Sequence, residues 1–238
     1  MPIVFYFRNI FLPLTVIMLI MISGVDEAGR GPVFGPLVVA GVTLEDEDEL
    51  IRNRVKDSKK LSPNRRNILA KLIKNIAINY EIVIIPASEI DDMRKVMTLN
   101  EIEVNAFRKV IKKLKPEICY VDSADVNDER FGRDILSELS FKPEIISKHK
   151  ADDIYPIVSA ASILAKTRRD EEVRIIAEDL EKKLGLPLGS GYPADVVTQK
   201  FLNSWLKTFG KLPPHTRRSW KTAQNLLKNM NRTKLDDF

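Results

Sequence analysis

Short apolar segments separated by helix-patterned stretches constrain the fold of this chain more than any other feature. Alternation of this kind is typical of a mixed α/β sheet with helices packed against it. The 238 residues, 44% hydrophobic and 30% charged, suffice for a buried core and exclude a disordered chain. The predicted strands are Ile22–Val25, Leu37–Leu44, Tyr80–Pro86, Ile118–Asp122 and Pro143–Ser147.

Helix signals lie between and after these segments. Ser62-Pro63 is typical of a helix start, and Thr98 with Glu101 predicts a capping box before a helix that ends near Pro116. Residues 155–184 have a long helical pattern, and a loop rich in Gly and Pro follows at 185–193. We therefore expect a main domain over 21–184 and a C-terminal helical part over 185–238.

The first 20 residues are an apolar extension of doubtful status. Their length and composition suit a membrane span or a secretory signal, although no convincing small-residue cleavage site precedes Asp26. Alternatively, translation starts at Met21, directly before the first predicted strand. We favour the start at Met21 and expect no stable membrane association.

Charge and cysteine content narrow the functional classes. The net charge of +5 favours polyanionic partners. The lone Cys119 excludes an intramolecular disulfide, fits a reducing cytoplasmic compartment and lies in an apolar run, where we expect it to be buried and inert. We expect a monomer.

Acidic residues at strand ends are the main candidates for chemistry. Asp26 and Glu27 directly follow the first predicted strand, and Asp122 ends another. Because charge is costly where a strand enters the core, a bound cation would explain these positions. Adjacent strand residues point to opposite faces, so Asp26 and Glu27 share a site only if the strand ends or bulges there.

Asp152 is a third acidic position, before the long helix. Packing of that helix against the sheet could bring its first acid to the same edge. Asp152 or Asp153 could equally be an ordinary helix cap, because Asp is common there without a metal. The spacing leaves both possibilities open.

Six ordered motifs resemble ribonuclease HII, and the archaeal members most closely. The resemblance extends from Met21 to about Ala223, and six motifs in order are far more specific than one acidic pair. The motifs are Asp26-Glu27-Ala28-Gly29-Arg30-Gly31-Pro32, Asp57-Ser58-Lys59-Lys60-Leu61, Tyr120-Val121-Asp122, Lys150-Ala151-Asp152, Val158–Lys166 and Ser190-Gly191-Tyr192-Pro193.

The resemblance implies a ribonuclease H-like mixed sheet flanked by helices, with a C-terminal helical part that binds substrate. It implies Mg²⁺ or Mn²⁺, two ions per site during catalysis, and cleavage of RNA–DNA hybrids and of duplex DNA at embedded ribonucleotides, leaving 5′-phosphate and 3′-hydroxyl ends. The implied catalytic metal ligands are Asp26, Glu27, Asp122 and Asp152. The implied substrate contacts are Gly29, Arg30, Gly31 and Tyr192, and we add Lys59 and Lys166 as candidate phosphate contacts, although solvated lysine is the ordinary alternative.

Two other functions compete with this hypothesis. A non-catalytic nucleic-acid-binding protein would use the basic C-terminal part, but it leaves the acids unexplained. An ATPase would use Gly29-Arg30-Gly31 as a nucleotide loop, but the chain has no GxxxxGK[ST] motif there. The segment 209–220 mixes basic and aromatic residues, which suits either a duplex-backbone contact or an exposed helix start.

Overall fold

The computed structural model describes residues 20–55 and 61–236, with side chains to residue 230. Five strands form one sheet in the order β3-β2-β1-β4-β5. Strands β1 to β3 pair antiparallel, whereas β4 pairs parallel to both β1 and β5. The strands are β1 (Ile22–Ala28), β2 (Leu37–Leu44), β3 (Asn79–Ile85), β4 (Ile118–Asp122) and β5 (Glu144–Lys148).

Nine helices are found in the described part of the chain. The predicted capping box is present at the start of α4: the Thr98 side chain accepts from the Glu101 amide, and the Glu101 carboxylate accepts from the Thr98 amide. The helices are α1 (Asp48–Arg52), α2 (Pro63–Ile76), α3 (Ala87–Met93), α4 (Leu99–Leu114), α5 (Asp128–Ser137), α6 (Ala151–Ile154), α7 (Pro156–Leu184), α8 (Val196–Phe209) and α9 (Lys221–Asp236).

Both faces of the sheet are covered, which makes three layers. Helices α2 and α7 pack on one face, where Ile73 and Ile163 contribute to the core. Helices α4 and α5 cover the other face, with Phe107 and Phe131 in edge-to-face contact. Cys119 is buried on this second face, and burial raises the pKa of its thiol, as expected for an inert cysteine.

The start of α7 lies unusually close to β1. A Cβ atom on Gly24 would lie 2.4 Å from the carbonyl carbon of Ile157, so only glycine permits this approach. The close approach matters for function because α6, immediately before α7, carries Asp152. Packing of β1 against α7 therefore helps to position that acid relative to β1.

The mixed α/β sheet flanked by helices is confirmed, with one correction in β1. We expected the strand to end before Asp26, but it continues to Ala28, and Asp26 and Glu27 pair with Ala40 and Val39 of β2. The antiparallel ladder to β2 outlasts the parallel ladder to β4, which ends at Val25. Strand β1 thus extends beyond its parallel neighbour.

The C-terminal helical part packs through a separate apolar cluster. Phe201 and Trp205 of α8 pack with Ile176 and Leu180 of α7, and with Phe34 from the loop after β1. The division at residues 184 and 185 stays a prediction, as does the role of the C-terminal part. Residues 1–19, and with them most of the apolar extension, lie outside the described residues. Among the residues that are described, no helix is long and apolar enough to cross a membrane.

Candidate functional site

Three carboxylates converge at one edge of the sheet. One oxygen from each of Asp26, Asp122 and Asp152 lies within 4.8 Å of the others. Asp26 and Asp152 are almost fully buried. Alternation along β1 and β4 directs Asp26 and Asp122 toward the face that α7 covers, and α6 contributes the third acid.

A hydrogen bond ties the end of β4 to the start of α6. The amide of Ala151 donates to Asp122 Oδ1 over 2.9 Å, which brings the next residue, Asp152, beside Asp122. Lys150 is the N-cap of α6 and adopts the left-handed conformation. Asp152 lies inside the helix and is buried, so the alternative that it serves only as a helix cap is wrong.

Glu27 lies in the wall of the same site but outside the close cluster of three acids. Alternation directs its side chain to the opposite face of β1 from Asp26, and β1 neither ends nor bulges at these two residues. Both residues nevertheless line the same cavity, where β1 extends beyond its pairing with β4, so the condition that the strand must end or bulge there is wrong.

Burial raises the pKa of Glu27 well above the ordinary value, and the neighbouring charges of Asp26 and Asp122 raise it further. Its Oε2 atom is buried and accepts no hydrogen bond within the described part of the chain. This carboxylate therefore has an unsatisfied acceptor beside two other acids.

Burial also raises the pKa of Asp26, and the charge of Asp152 acts in the same direction. Lys166 and a hydrogen bond from Ser162, both on α7, oppose this rise. Clustered, buried carboxylates are costly without a cation, and oxygen-only ligand sets are those that Mg²⁺ and Mn²⁺ prefer. The residues present thus fit a divalent metal.

A cavity of about 360 Å³ opens beside these acids. Gly31 and Tyr192 form one wall together, because a Cβ on Gly31 would lie 3.5 Å from Cε1 of Tyr192. Tyr192 is 44% exposed, which leaves its ring accessible to a ligand. The predicted site residues that line the cavity are Asp26, Glu27, Gly29, Arg30, Gly31, Asp122, Lys166 and Tyr192. Lys59 lies outside the described residues.

The cavity also has lining residues that sequence reasoning missed: Arg66, Arg169 and Asp170. Arg66 pairs with Asp170 over 2.7 Å, and the Arg169 guanidinium lies 5.6 Å from the centre of the Tyr192 ring. Lys166, Arg169 and Asp170 occupy positions i, i+3 and i+4 of α7, and this helical spacing was the signal that could have revealed them. The acids are therefore bordered by several cations.

Arg30 is held on its outer side by α4. Its guanidinium forms an ion pair with the fully buried Glu103 and donates to Asn100 Oδ1 over 2.7 Å. Asn100 in turn donates to Asp125, which also pairs with Arg130. This chain of contacts fixes the direction of a cation at the cavity, and no local sequence pattern linked Glu103 to it.

Within the segment 209–220, Arg217 differs from both sequence interpretations, whereas Lys211, His215 and Arg218 are exposed and a duplex contact through them stays a prediction. Arg217 is fully buried rather than exposed for a duplex contact, and it lies in a loop before α9 rather than at a helix start. Its guanidinium donates to backbone carbonyls at Gly29, Arg30 and Gly35. The C-terminal segment thus contacts the backbone of the loop that lines the cavity.

Comparison with known proteins gives one consistent result. The family model described as Ribonuclease HII matches residues 23–223. A "Ribonuclease HII" of Methanosarcina barkeri is 46% identical over 223 residues, which cover 90% of this chain and 98% of that protein.

Solved structures of archaeal proteins agree. The ribonuclease H2 of Pyrococcus horikoshii OT3 is 39% identical with a TM-score of 0.81, covering 90% of this chain and all of that one. The ribonuclease in the PCNA:RNase HII complex of Archaeoglobus fulgidus is 43% identical with a TM-score of 0.77, covering 85% of this chain and 96% of that one. The fold is shared with these structures, the acids cluster at one edge of the sheet, and the relatives match over nearly their whole length. This nuclease therefore belongs to the ribonuclease HII family.

Proposed function

We propose that this enzyme cuts the RNA strand of RNA–DNA hybrids and also duplex DNA at a single embedded ribonucleotide, leaving 5′-phosphate and 3′-hydroxyl ends. Membership of the ribonuclease HII family implies the action on hybrids. The observation that carries the chemistry is the convergence of three carboxylates within 4.8 Å beside an open cavity. Monomeric state and a cytoplasmic location stay predictions.

Asp26, Asp122 and Asp152 are the proposed metal ligands, with Glu27 as a fourth. Glu27 fits this role because no donor among the described residues reaches its buried Oε2 atom, and a cation would satisfy that oxygen. When bound, divalent ions lower the pKa of water and stabilise negative charge on the oxygen that leaves phosphorus. Both Mg²⁺ and Mn²⁺ suit the carboxylate set.

Selection for RNA is proposed to come from the part of the cavity wall that Gly29, Arg30, Gly31 and Tyr192 form. The backbone of Gly29-Arg30-Gly31 and the Tyr192 ring would contact the ribose whose 2′-hydroxyl distinguishes RNA from DNA. The contact between Gly31 and Tyr192 supports this role, because it puts both on one surface of the cavity. Lys166, beside Asp26, is proposed to approach a phosphate near the acids, and Lys59 is proposed as a second phosphate contact.

A cleavage assay with end-labelled duplexes tests the proposal. The substrates are a duplex DNA with one ribonucleotide, the same duplex with a 2′-O-methyl group at that position, an all-DNA duplex and an RNA–DNA hybrid, each with Mg²⁺ or Mn²⁺. Asp122→Asn is the test variant. Asp179→Asn is the matched control, because Asp179 is an exposed acid of α7 paired with Lys183.

We expect the parent and Asp179→Asn to cut only the two substrates that carry a free 2′-hydroxyl. Asp122→Asn should be slower by at least about a hundredfold, since loss of about 3 kcal/mol of transition-state stabilisation has that effect. The products should be ligatable at the 5′ end and extendable at the 3′ end. A 2′,3′-cyclic phosphate would contradict the mechanism, and binding without cleavage would favour a non-catalytic binding protein. A requirement for ATP would favour the ATPase.

A further inference from the structure

A buried arginine far along the chain holds the backbone of the Gly29-Arg30-Gly31 loop. Arg217 is fully buried, and its Nη2 and Nη1 atoms donate to the carbonyls of Gly29 and Arg30 over 2.6 and 2.9 Å. Its Nε atom donates to the carbonyl of Gly35 over 3.0 Å. The fork of donors on one guanidinium thus spans the loop that follows β1.

Trp220 completes the set of contacts. Its indole Nε1 donates to the carbonyl of Gly31 over 3.2 Å, so all three carbonyls of the loop are engaged by the same segment. The Arg217 guanidinium lies 4.7 Å from the centre of the Trp220 ring, which favours a cation–π interaction. The two side chains therefore support each other as well as the loop.

The segment that carries Arg217 is itself fixed to the body of the protein. The Asp91 carboxylate of α3 accepts hydrogen bonds from the Arg218 and Ser219 amides over 2.8 and 2.9 Å. The Arg217 amide donates to the carbonyl of Val33 over 2.8 Å. Arg217 is thus anchored on both sides and resists displacement.

Because the peptide unit is planar, these contacts also determine where the loop amides point. In a trans peptide the C=O and the following N–H point in opposite directions. Carbonyls of Gly29 and Arg30 that point to Arg217 therefore turn the amides of Arg30 and Gly31 away from it. Both amides donate no hydrogen bond to any residue that the structure describes.

We propose that Arg217, assisted by Trp220, is a positioning residue that presents the amides of Arg30 and Gly31 to the ribose of the substrate. The inference rests on the proposed function, in which this loop recognises the ribose. It assigns to Arg217 no contact with the nucleic acid, because the side chain is buried behind the loop. Discrimination between ribose and deoxyribose thus depends on a residue 188 positions from Gly29.

The test compares Arg217→Lys and Arg217→Met with Arg133→Met in the full chain. Arg133 is an exposed arginine of α5 paired with Glu129, so its loss removes the same charge elsewhere. Dissociation constants are measured, with Ca²⁺ in place of Mg²⁺, for a duplex DNA with one ribonucleotide and for the all-DNA duplex. Values of kcat and KM are then measured with Mg²⁺ on the first substrate.

We expect both Arg217 variants to lower the preference for the ribonucleotide duplex about tenfold or more, because two misdirected amides each lose a hydrogen bond to the ribose worth about 1 kcal/mol, a factor of about five in affinity. Affinity for the all-DNA duplex should stay within about twofold, and Arg133→Met should match the parent. An equal loss on both duplexes would indicate a phosphate contact and overturn the inference, because phosphate contacts act on all sequences alike. Unchanged preference would overturn it too.

A second measurement does not depend on activity. Order parameters of the Arg30 and Gly31 amides, from nitrogen-15 relaxation, should fall in Arg217→Lys and, to a smaller extent, in Trp220→Phe, which keeps a ring but removes the donor to Gly31. Rigid amides in both variants would contradict the inference even if the parent proves inactive. A parent that binds and cuts no ribose-containing duplex would instead contradict the proposed function.

Discussion

The amide of Ala151 donates a hydrogen bond to Asp122 Oδ1 and so joins the end of β4 to the first turn of α6. Asp122 thus has two roles: it holds the start of α6, and it belongs to the acidic cluster. Substitutions that keep or remove its acceptor oxygen separate these roles. An asparagine keeps an acceptor in the same place, whereas an alanine does not.

We therefore predict that Asp122→Asn unfolds at a temperature equal to or above that of the parent, while Asp122→Ala loses about 1 to 2 kcal/mol of stability through the unsatisfied Ala151 amide. Thermal and urea unfolding, with a chelator present, measure the difference. Equal stability of the two variants would show that the contact contributes nothing to holding α6.

Asp26→Asn should stabilise the metal-free protein. Burial and the nearby Asp152 charge both disfavour a charged Asp26, as its raised pKa shows, and a neutral amide removes that cost. We expect the variant to have a higher free energy of unfolding than the parent in chelator. Added Mg²⁺ should raise the unfolding temperature of the parent and leave the variant nearly unchanged. A variant that is less stable than the parent in chelator would contradict this account of the cluster.

Gly24→Ala should disturb the approach of β1 to α7. The new Cβ would meet the carbonyl group of Ile157, and backbone cannot yield as a flexible side chain can. We predict a loss of about 1 to 3 kcal/mol and weaker activation by Mg²⁺. The comparison is Gly185→Ala, where a Cβ meets no described atom within 4 Å and the positive φ opposes the change. A larger loss at Gly185 than at Gly24 would contradict the prediction.

The stability of the loop that carries Tyr192 should depend on pH, because Asp195 holds this loop through hydrogen bonds. Hydrogen bonds from the amide and hydroxyl of Ser190, and from the amide of Val197, lower the pKa of Asp195 to about 2. The folded-state pKa is thus below that of the unfolded chain. The stabilisation is fully present above about pH 4 and is lost as the pH falls toward 2.

Asp195→Asn should therefore be less stable than the parent at pH 6, and the difference should shrink between pH 4 and pH 2. Unfolding at a series of pH values measures it. The control is Asp179→Asn, which removes an exposed acid of α7 that pairs with Lys183 and lies outside the Tyr192 loop. A constant difference across the pH range would contradict the role assigned to Asp195.

Much of the fold was predictable because it depends on local patterns. The periodicity of apolar residues and the cap at Thr98 indicated the strands and α4 directly. The convergence of Asp26 and Asp122 followed from strands that end in acids, if those strands were neighbours. Strand β1 ran further than predicted because its ladder to β2 continues to Ala28, which the sequence of β1 alone does not reveal.

The contacts behind the site were not predictable from local patterns. Arg217 has the composition signature of an exposed basic segment, yet it is buried because it donates to carbonyls 187 and 188 residues earlier. Glu103 lies among the apolar positions of α4, and its partner Arg30 is also far away along the chain. Asp152 was distinguished from Asp153 only by the resemblance. Long-range polar contacts have no periodicity, so sequence reasoning assigns such residues to the surface by default.

Asp26, Asp122 and Asp152 are expected to bind one divalent metal ion together. A crystal of the parent soaked in Mn²⁺ tests this most directly, through the anomalous signal of manganese. We predict a peak bonded to a carboxylate oxygen of each of these residues, at about 2.0 to 2.3 Å, the range for small divalent ions with oxygen ligands, and its loss in Asp122→Asn. A parent crystal with no peak at these oxygens, or with manganese bound only elsewhere, would contradict the account.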